Sequence, residues 1–365
     1  MKNKIIIEDL NYIKNNMSDE EKRKFNNSTI LITGCAGFLG YYITNFFVKF
    51  SKELKIKLII TLDNFKLGKP KWLETLAEDN EEIIKLYNFD ITKGQLNDIE
   101  YAQQADYIIH MASIASPTFY RKYPIETVDA NVWGLRKLLD FYMNKSIKGL
   151  LFFSSSEVYG NPLSEFIPTS EGYLGNVSSI GPRACYDEAK RFGETLCYLY
   201  NRQYNVPISI VRPFNNYGPG MKLNDGRIPA DFAKAVLENK DLIIYSDGTP
   251  TRTFCYISDA VLGYIKALVY GKFDYFNIGI EQPEISIKEL AEIYRELAKS
   301  IFGYTGEIRL SNSEDKEYLT HNPARRCPNI HKAKTILEYY PEISVKDGVK
   351  RFLEYIKLNE SGDVH

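Results

Sequence analysis

A glycine-rich turn between an apolar run and an amphipathic run constrains this chain more than any other feature. Thr29, Ile30, Leu31 and Ile32 read as a buried strand, and Gly34, Gly37 and Gly40 follow at three-residue spacing before a helical segment that runs to Phe47. Glycines there allow a tight turn and the close approach of a pyrophosphate to unpaired amides at a helix N-terminus. An ordinary strand-to-helix turn would look similar. A second apolar strand, residues 58–62, narrows the choice, because it ends at Asp63, about twenty residues past the last glycine, where a dinucleotide site carries its acidic residue. A carboxylate there accepts from both ribose hydroxyls and repels a ribose phosphate. The cofactor expected is NAD, not NADP, held by Gly34, Gly37, Phe38, Leu39 and Gly40 at the turn and by Asp63 and Asn64 at the ribose.

From residue 28 to about residue 206 strands alternate with helices, the βαβ rhythm of an α/β, Rossmann-type, doubly wound parallel sheet. Ligands of such sheets sit at the carboxyl ends of the strands. The run 87–91 therefore points Asp90 and Ile91 toward the adenine, and 107–113 lines the middle of the cofactor with Met111, Ala112 and Ser113. A third apolar strand, 149–154, delivers Ser154, Ser155, Ser156 and Glu157. Three segments follow: a polar helical extension over 1–27, an NAD-binding domain over 28–212 with a return of the chain near 254–280, and a smaller, discontinuous C-terminal α/β substrate domain, mainly 213–365. In the extension Glu8, Asp9, Asp19, Glu20 and Glu21 alternate with lysines, while Ile5 to Ile7, Leu10, Tyr12 and Ile13 offer an apolar face. Helices are expected over 286–301 and 345–355.

Tyr186 and Lys190 stand four residues apart on a predicted helix, so both side chains share one face. An ammonium at Lys190 favours a phenolate at Tyr186, and a nearby hydroxyl such as Ser155 can share the proton of a sugar hydroxyl. That chemistry requires a redox partner, which the glycine turn supplies.

Composition excludes several alternatives. The chain has 365 residues with 46 basic and 47 acidic side chains and no basic run, so nucleic acid is not an expected partner. The five cysteines are scattered, which suits reduced thiols better than disulfides. The four histidines (His110, His321, His331, His365) are too dispersed for a metal site or a histidine-based triad. The N-terminus lacks the apolar stretch of a signal peptide, and no segment has the length and hydropathy of a membrane span. A cytoplasmic protein is expected.

These residues carry a family likeness over nearly the whole chain after residue 28. Gly34, Gly37, Gly40, Asp63, Ser155, Tyr186, Lys190 and Asn215 stand as in the extended short-chain dehydrogenase/reductases that modify nucleotide sugars. Finer strings resemble UDP-glucuronate decarboxylases (UDP-xylose synthases): Ala115-Ser116-Pro117-x-x-Tyr120, Ser155-Ser156-Glu157-Val158-Tyr159-Gly160 and Gly181-Pro182-Arg183-Ala184-Cys185-Tyr186. The same holds for Asp225-Gly226-Arg227, Thr251-Arg252-Thr253-Phe254-Cys255-Tyr256 and Arg326-Cys327-Pro328. The sequence departs from that pattern at Asn216, where Thr is usual, at Gly220, where Arg is usual, and in its N-terminal extension.

The resemblance implies that Tyr186 takes the proton of the sugar 4-hydroxyl, that Lys190 holds the nicotinamide ribose, and that Ser155 is the catalytic hydroxyl, with Ser154 and Ser156 as neighbours. Glu157 would handle the proton at carbon 5. Dehydratases of the group carry an Asp–Glu pair, and here Ser156 replaces that Asp. Arg252 resembles the arginine that binds the diphosphate, and Arg326 the one that approaches the sugar or its carboxylate. Arg227, Asn215, Pro117 and Tyr120 complete a substrate pocket. The activity implied is NAD-dependent decarboxylation of UDP-glucuronate through a 4-keto sugar. A 4-epimerase, a 4-keto-sugar reductase, a 4,6-dehydratase and a non-catalytic NAD-binding regulator are the alternatives. The helices around residues 135–141 and 192–200 have more apolar surface than one sheet face covers, and the group pairs such helices in a homodimer.

Overall fold

The computed structural model describes residues 3–312, 320 and 323–360. His321 and His365 lie outside the described residues. Six strands follow one another through the first half: β1 (Thr29–Thr33), β2 (Leu58–Asp63), β3 (Ile84–Asn88), β4 (Tyr107–His110), β5 (Gly149–Phe153) and β6 (Ile208–Pro213). With the strand Asp274–Ile278 they form one seven-stranded sheet, in the order Asp274–Ile278, β6, β5, β4, β1, β2, β3. Every pairing is parallel. The chain reverses direction across the sheet between β1 and β4, which opens a crevice at their carboxyl ends. This is a Rossmann-type α/β fold.

Both faces of the sheet are covered, which is why β1, β2 and β5 read as continuous apolar runs rather than alternating ones. On one face Ile30, Ile32 and Ile59 pack with Tyr42, Phe46 and Phe47. On the other, Leu31 and Ile60 share a cluster with Leu135, Leu138, Leu139, Tyr142 and Leu196. Each such side chain contributes about 1.5–3 kcal/mol on burial. Packing, more than helix propensity, holds these helices in place.

Two helices precede the sheet, α1 (Lys4–Asn15) and α2 (Asp19–Lys24); α3 (Phe38–Lys49) follows the glycine turn. Ile5, Ile6, Leu10 and Ile13 of α1 are buried, as the apolar stripe predicts, whereas Ile7 and Tyr12 are half-buried. Asp9 corrects the picture of a polar surface helix, for it is fully buried. Its carboxylate accepts from Tyr42 Oη at 2.8 Å, Tyr256 Oη at 2.7 Å and Arg351 Nη1 at 2.9 Å. Burial pushes its carboxyl up to about 6 against the pull of those donors. Tyr12 donates to Asp259 at 2.6 Å, and Glu21, part of a capping box with Ser18, pairs with the buried Lys266 at 3.0 Å.

The second half is built from shorter pieces. The helix Ile287–Phe302 starts behind Ser286, whose side chain forms a capping box with Glu289, and ends at Gly303 in the left-handed conformation. The final helix runs over Val345–Glu360, five residues beyond the expected 355. Thr251–Arg252 lies between Ile285–Ser286 and Arg325–Arg326 in a three-stranded ribbon. The register pairs Arg326 with Arg252 and so sets two arginines distant in sequence side by side.

Candidate active site

The glycine turn is tight for steric reasons. Gly34 has φ +75°, and a Cβ there would stand 2.7 Å from the Met111 carbonyl carbon; one on Gly40 would stand 2.2 Å from the Cys35 carbonyl oxygen. Gly37 caps α3 with no side chain of its own to occupy the first-turn amides, which leaves them for an anion. At the end of β2 the Asp63 carboxylate accepts from the Ala36 amide at 3.0 Å and the Phe65 amide at 2.8 Å. Those bonds orient it toward the crevice. Burial pushes its carboxyl up, while the two amides and Lys222 pull it down.

Asp90 lies two residues beyond β3 and is fixed by Thr92, through its amide at 2.9 Å and its hydroxyl at 2.6 Å, with Asn64 at 3.5 Å. Met111, Ala112 and Ser113 lie just past the end of β4, next to Gly34. Together these residues form a cradle for a dinucleotide: a turn a Cβ would fill, open helix amides and a carboxylate at the ribose end. NAD fits it.

Tyr186 and Lys190 sit in the first turns of the Ala184–Tyr204 helix, both buried. Burial pushes the Tyr186 phenol up to about 12; a hydrogen bond with Ser155 and the charge of Arg227 act in the opposite direction. Lys190 donates to the Phe153 carbonyl at 2.6 Å, and burial lowers its ammonium to about 7. The expected pull of Lys190 on the phenol is thus met here by Ser155 and Arg227. Tyr120 stacks on Tyr186, ring centroids 5.2 Å apart and 11° from parallel.

The three serines separate clearly. Ser154 Oγ donates to Glu194 at 2.5 Å, and Ser156 Oγ accepts from Arg326 at 3.1 Å. Ser155 is the one bonded to Tyr186. Its Oγ also accepts from the Glu157 amide at 3.2 Å and starts a single 3-10 turn over Ser156–Tyr159.

Glu157 is neither solvated nor alone. Arg183 and Arg326 both pair with it, and Arg183 also reaches Asp187 at 3.5 Å. Burial alone would raise the Glu157 carboxyl, but the two guanidinium groups hold it well below the usual range. Burial and the neighbouring Glu157 push Asp187 up instead. A carboxylate held low stays charged at neutral pH and is a weak base. Glu157 is thus better suited to anchoring two guanidinium groups than to carrying the carbon-5 proton. Arg252, beside Arg326, donates to the carbonyls of Thr251, Ala324 and Pro323; burial, then Arg326, lowers it to about 9. Arg227 is forked onto Asp225, and Asn215, at φ +44°, donates to the Thr253 carbonyl at 2.9 Å.

Every cofactor, catalytic and substrate-pocket candidate named from the sequence lines one cavity of about 920 Å³, from Gly34 and Asp63 at one end, past Ser155, Tyr186 and Lys190, to Pro117, Arg252 and Arg326 at the other. Sequence reasoning missed Arg183, although it stands in a quoted string and precedes Asp187 by four residues, a pair made for one helix face. Among the described residues no helix is long and apolar enough to cross a membrane, and no cluster of side chains has the make-up of a metal site.

Known proteins share this arrangement. Residues 30–279 match the NAD dependent epimerase/dehydratase family. The chain is 36% identical over 343 residues to UDP-glucuronic acid decarboxylase 1 of Xenopus tropicalis, covering 93% of this chain and 74% of that one. It is 35% identical over 333 residues to UDP-glucuronic acid decarboxylase 6 of Arabidopsis thaliana, covering 91% and 90%. Among solved structures, the UDP-glucuronic acid 4-epimerase of Bacillus cereus in complex with UDP-glucuronic acid and NAD superposes with a TM-score of 0.71 at 27% identity, over 90% of this chain and 99% of that one. With the glycine cradle, the Asp63 ribose end and the buried Tyr186–Lys190 pair in one cavity, the chain belongs to the NAD-dependent epimerase/dehydratase family of the extended short-chain dehydrogenase/reductases.

Proposed function

We propose that this enzyme decarboxylates UDP-glucuronate through a 4-keto sugar. One observation carries the substrate choice: three arginines, Arg183, Arg252 and Arg326, surround Glu157 and Asp187 beside Tyr186. A buried surplus of guanidinium charge in a sugar site calls for an anionic sugar, and guanidinium forks match carboxylate and diphosphate oxygens. The relatives named as UDP-glucuronic acid decarboxylases support the same reading.

Gly34, Gly37, Phe38, Leu39 and Gly40 would hold the pyrophosphate of NAD, Asp63 and Asn64 its adenosine ribose, and Asp90, Ile91 and Met111 to Ser113 its adenine and middle. Asp63 favours NAD over NADP by like-charge repulsion. Bound there, NAD would supply the acceptor for a hydride from the sugar carbinol and the donor for its return. Tyr186, hydrogen-bonded to Ser155, accepts the 4-hydroxyl proton, and Lys190 holds the nicotinamide ribose. A ketone at carbon 4 makes the sugar a β-keto acid, so the carbon–carboxylate bond can break with its electron pair delocalised into the ketone, and a proton from water then takes the place of the carboxylate on carbon 5. Arg326, anchored by Glu157 and Ser156, would meet the sugar carboxylate; Arg252, Arg227 and Asn215 would serve the diphosphate and sugar, with Pro117 and Tyr120 as the wall. Ser156 stands where dehydratases of the group carry the Asp of their Asp–Glu pair.

Incubation of the purified protein with UDP-glucuronate and NAD should give a product lighter by carbon dioxide in the mass spectrum. A product of unchanged mass would move the assignment to a 4-epimerase, the activity named for the solved relative that binds UDP-glucuronic acid.

The enzyme is proposed to be a homodimer. Leu135, Leu138, Leu139, Leu196 and Cys197 are spent on the sheet, but the same helices and their neighbours leave Ile125, Trp133, Phe192 and Leu199 at least half exposed. A self-complementary patch of this kind suits a two-fold interface. Light scattering at micromolar concentration should give twice the chain mass of 42.1 kDa; a monomer would refute the pairing.

A further inference from the structure

The loop 218–227 touches both ends of the cavity. At one end Arg227, forked onto Asp225, bears electrostatically on Tyr186, and Ser116 Oγ donates to the Asp225 carbonyl. At the other end Lys222 leaves the sugar side altogether. Its Nζ donates to the Leu67 carbonyl at 2.7 Å, across 155 residues of chain. Leu67 follows the ribose-end carboxylate by four residues, and Lys222 acts on Asp63 as a counter-charge. All three line the same cavity.

The loop is fastened between these contacts. Met221 is buried, and Gly220, at φ +83°, lies against α3 so closely that a Cβ would stand 2.5 Å from the Tyr41 ring. Tyr41 is itself packed edge-on against Trp72 at 4.9 Å. The ring cannot yield cheaply. Lys222 therefore hangs on a strap pinned at Gly220 and again at Asp225, and its ammonium bridges the sugar-side loop to the loop that follows β2.

We propose that Lys222 is a cofactor-retaining residue that couples the two halves of the site: it closes the adenosine end over NAD from the sugar side, so that a nucleotide sugar ordering the strap through Arg227 also tightens NAD. The coupling rests on the nucleotide-sugar reading above; the contact with the adenosine end does not. Two physical effects are at work. The ammonium–carbonyl bond holds the loop after Asp63 shut, and the positive charge stands as a counter-charge to the Asp63 carboxylate from which the ribose end is built.

The test is calorimetric titration of the full chain with NAD, in the absence and presence of saturating UDP. Lys222→Met, which keeps the stem and removes the charge, should weaken NAD binding about tenfold, the scale of a lost charged hydrogen bond. It should also lose most of the tightening by UDP seen in the parent protein. Lys222→Arg should restore both, and Lys222→Gln, a donor without charge, should fall between. A Lys222→Met protein that binds NAD within twofold of the parent overturns the retaining role. A parent protein whose NAD affinity is unmoved by bound UDP overturns the coupling. A parent that binds NAD but no UDP at all would count against the nucleotide-sugar assignment, leaving the Lys222 effect on NAD to be read by itself.

Discussion

Tyr186→Phe should lose turnover of UDP-glucuronate by about a thousandfold while binding NAD nearly as the parent does. The expected loss follows from removing the group proposed to take the carbinol proton, since positioned acid–base groups contribute about 10²–10⁴-fold. The retained affinity follows from packing. The phenylalanine ring keeps the 5.2 Å stack on Tyr120 and the buried seat at the head of its helix, and Lys190 keeps its bond to the Phe153 carbonyl. Turnover by product mass and NAD affinity by calorimetry check the two halves separately. Near-parental activity would remove Tyr186 from the chemistry.

Glu157→Gln should slow product release about a hundredfold or more, yet leave the first electron transfer in place. Tyr186 and Ser155 would serve carbon 4, and loss of the Glu157 charge removes one influence that pushes the Tyr186 phenol up, so UDP-glucuronate should still reduce bound NAD, visible as the absorbance of the reduced nicotinamide. What fails is the later step. With glutamine, Arg183 and Arg326 lose the anion both are paired with, and stripping one partner from a buried ion cluster leaves uncompensated charge. The guanidinium groups are then free to clamp the sugar carboxylate instead of letting carbon dioxide leave. Reduced nicotinamide should accumulate in the variant. Parental rates of product formation would show that the loss of carbon dioxide does not need the Glu157 charge between Arg183 and Arg326, and no NAD reduction in either protein would point away from UDP-glucuronate.

The sheet was readable because each strand is a short apolar run with a glycine turn or polar residue behind it, and because parallel strands buried on both faces hide no alternation. Asp63 stood out as the candidate ribose carboxylate because an apolar strand ends on it about twenty residues past the last glycine. Other features depend on where distant segments meet. Arg252 and Arg326 are neighbours only through ribbon register, and Arg183 gains its meaning from the two carboxylates it touches. Nor does a run of three serines announce which hydroxyl turns toward Tyr186; Glu194 and Arg326 occupy the outer two. Asp9 misled for a related reason. An acid next to Glu8 in a helix that also carries lysines reads as solvated, and nothing near it in the chain supplies the donors that bury it.

That buried acid also bears on how this chain can change over evolutionary time. Asp9 meets Tyr42 from the cofactor helix, Tyr256 from the edge of the sugar side and Arg351 from the last helix. Loss of Asp9 would strand two phenols in the interior, and loss of any donor would leave the carboxylate poorly solvated. Single replacements at the four positions are therefore costly, whereas concerted ones are not. The four should drift as a set, so that a lineage without the N-terminal helices would be free to exchange both tyrosines and the arginine for apolar residues, and one that keeps them would not.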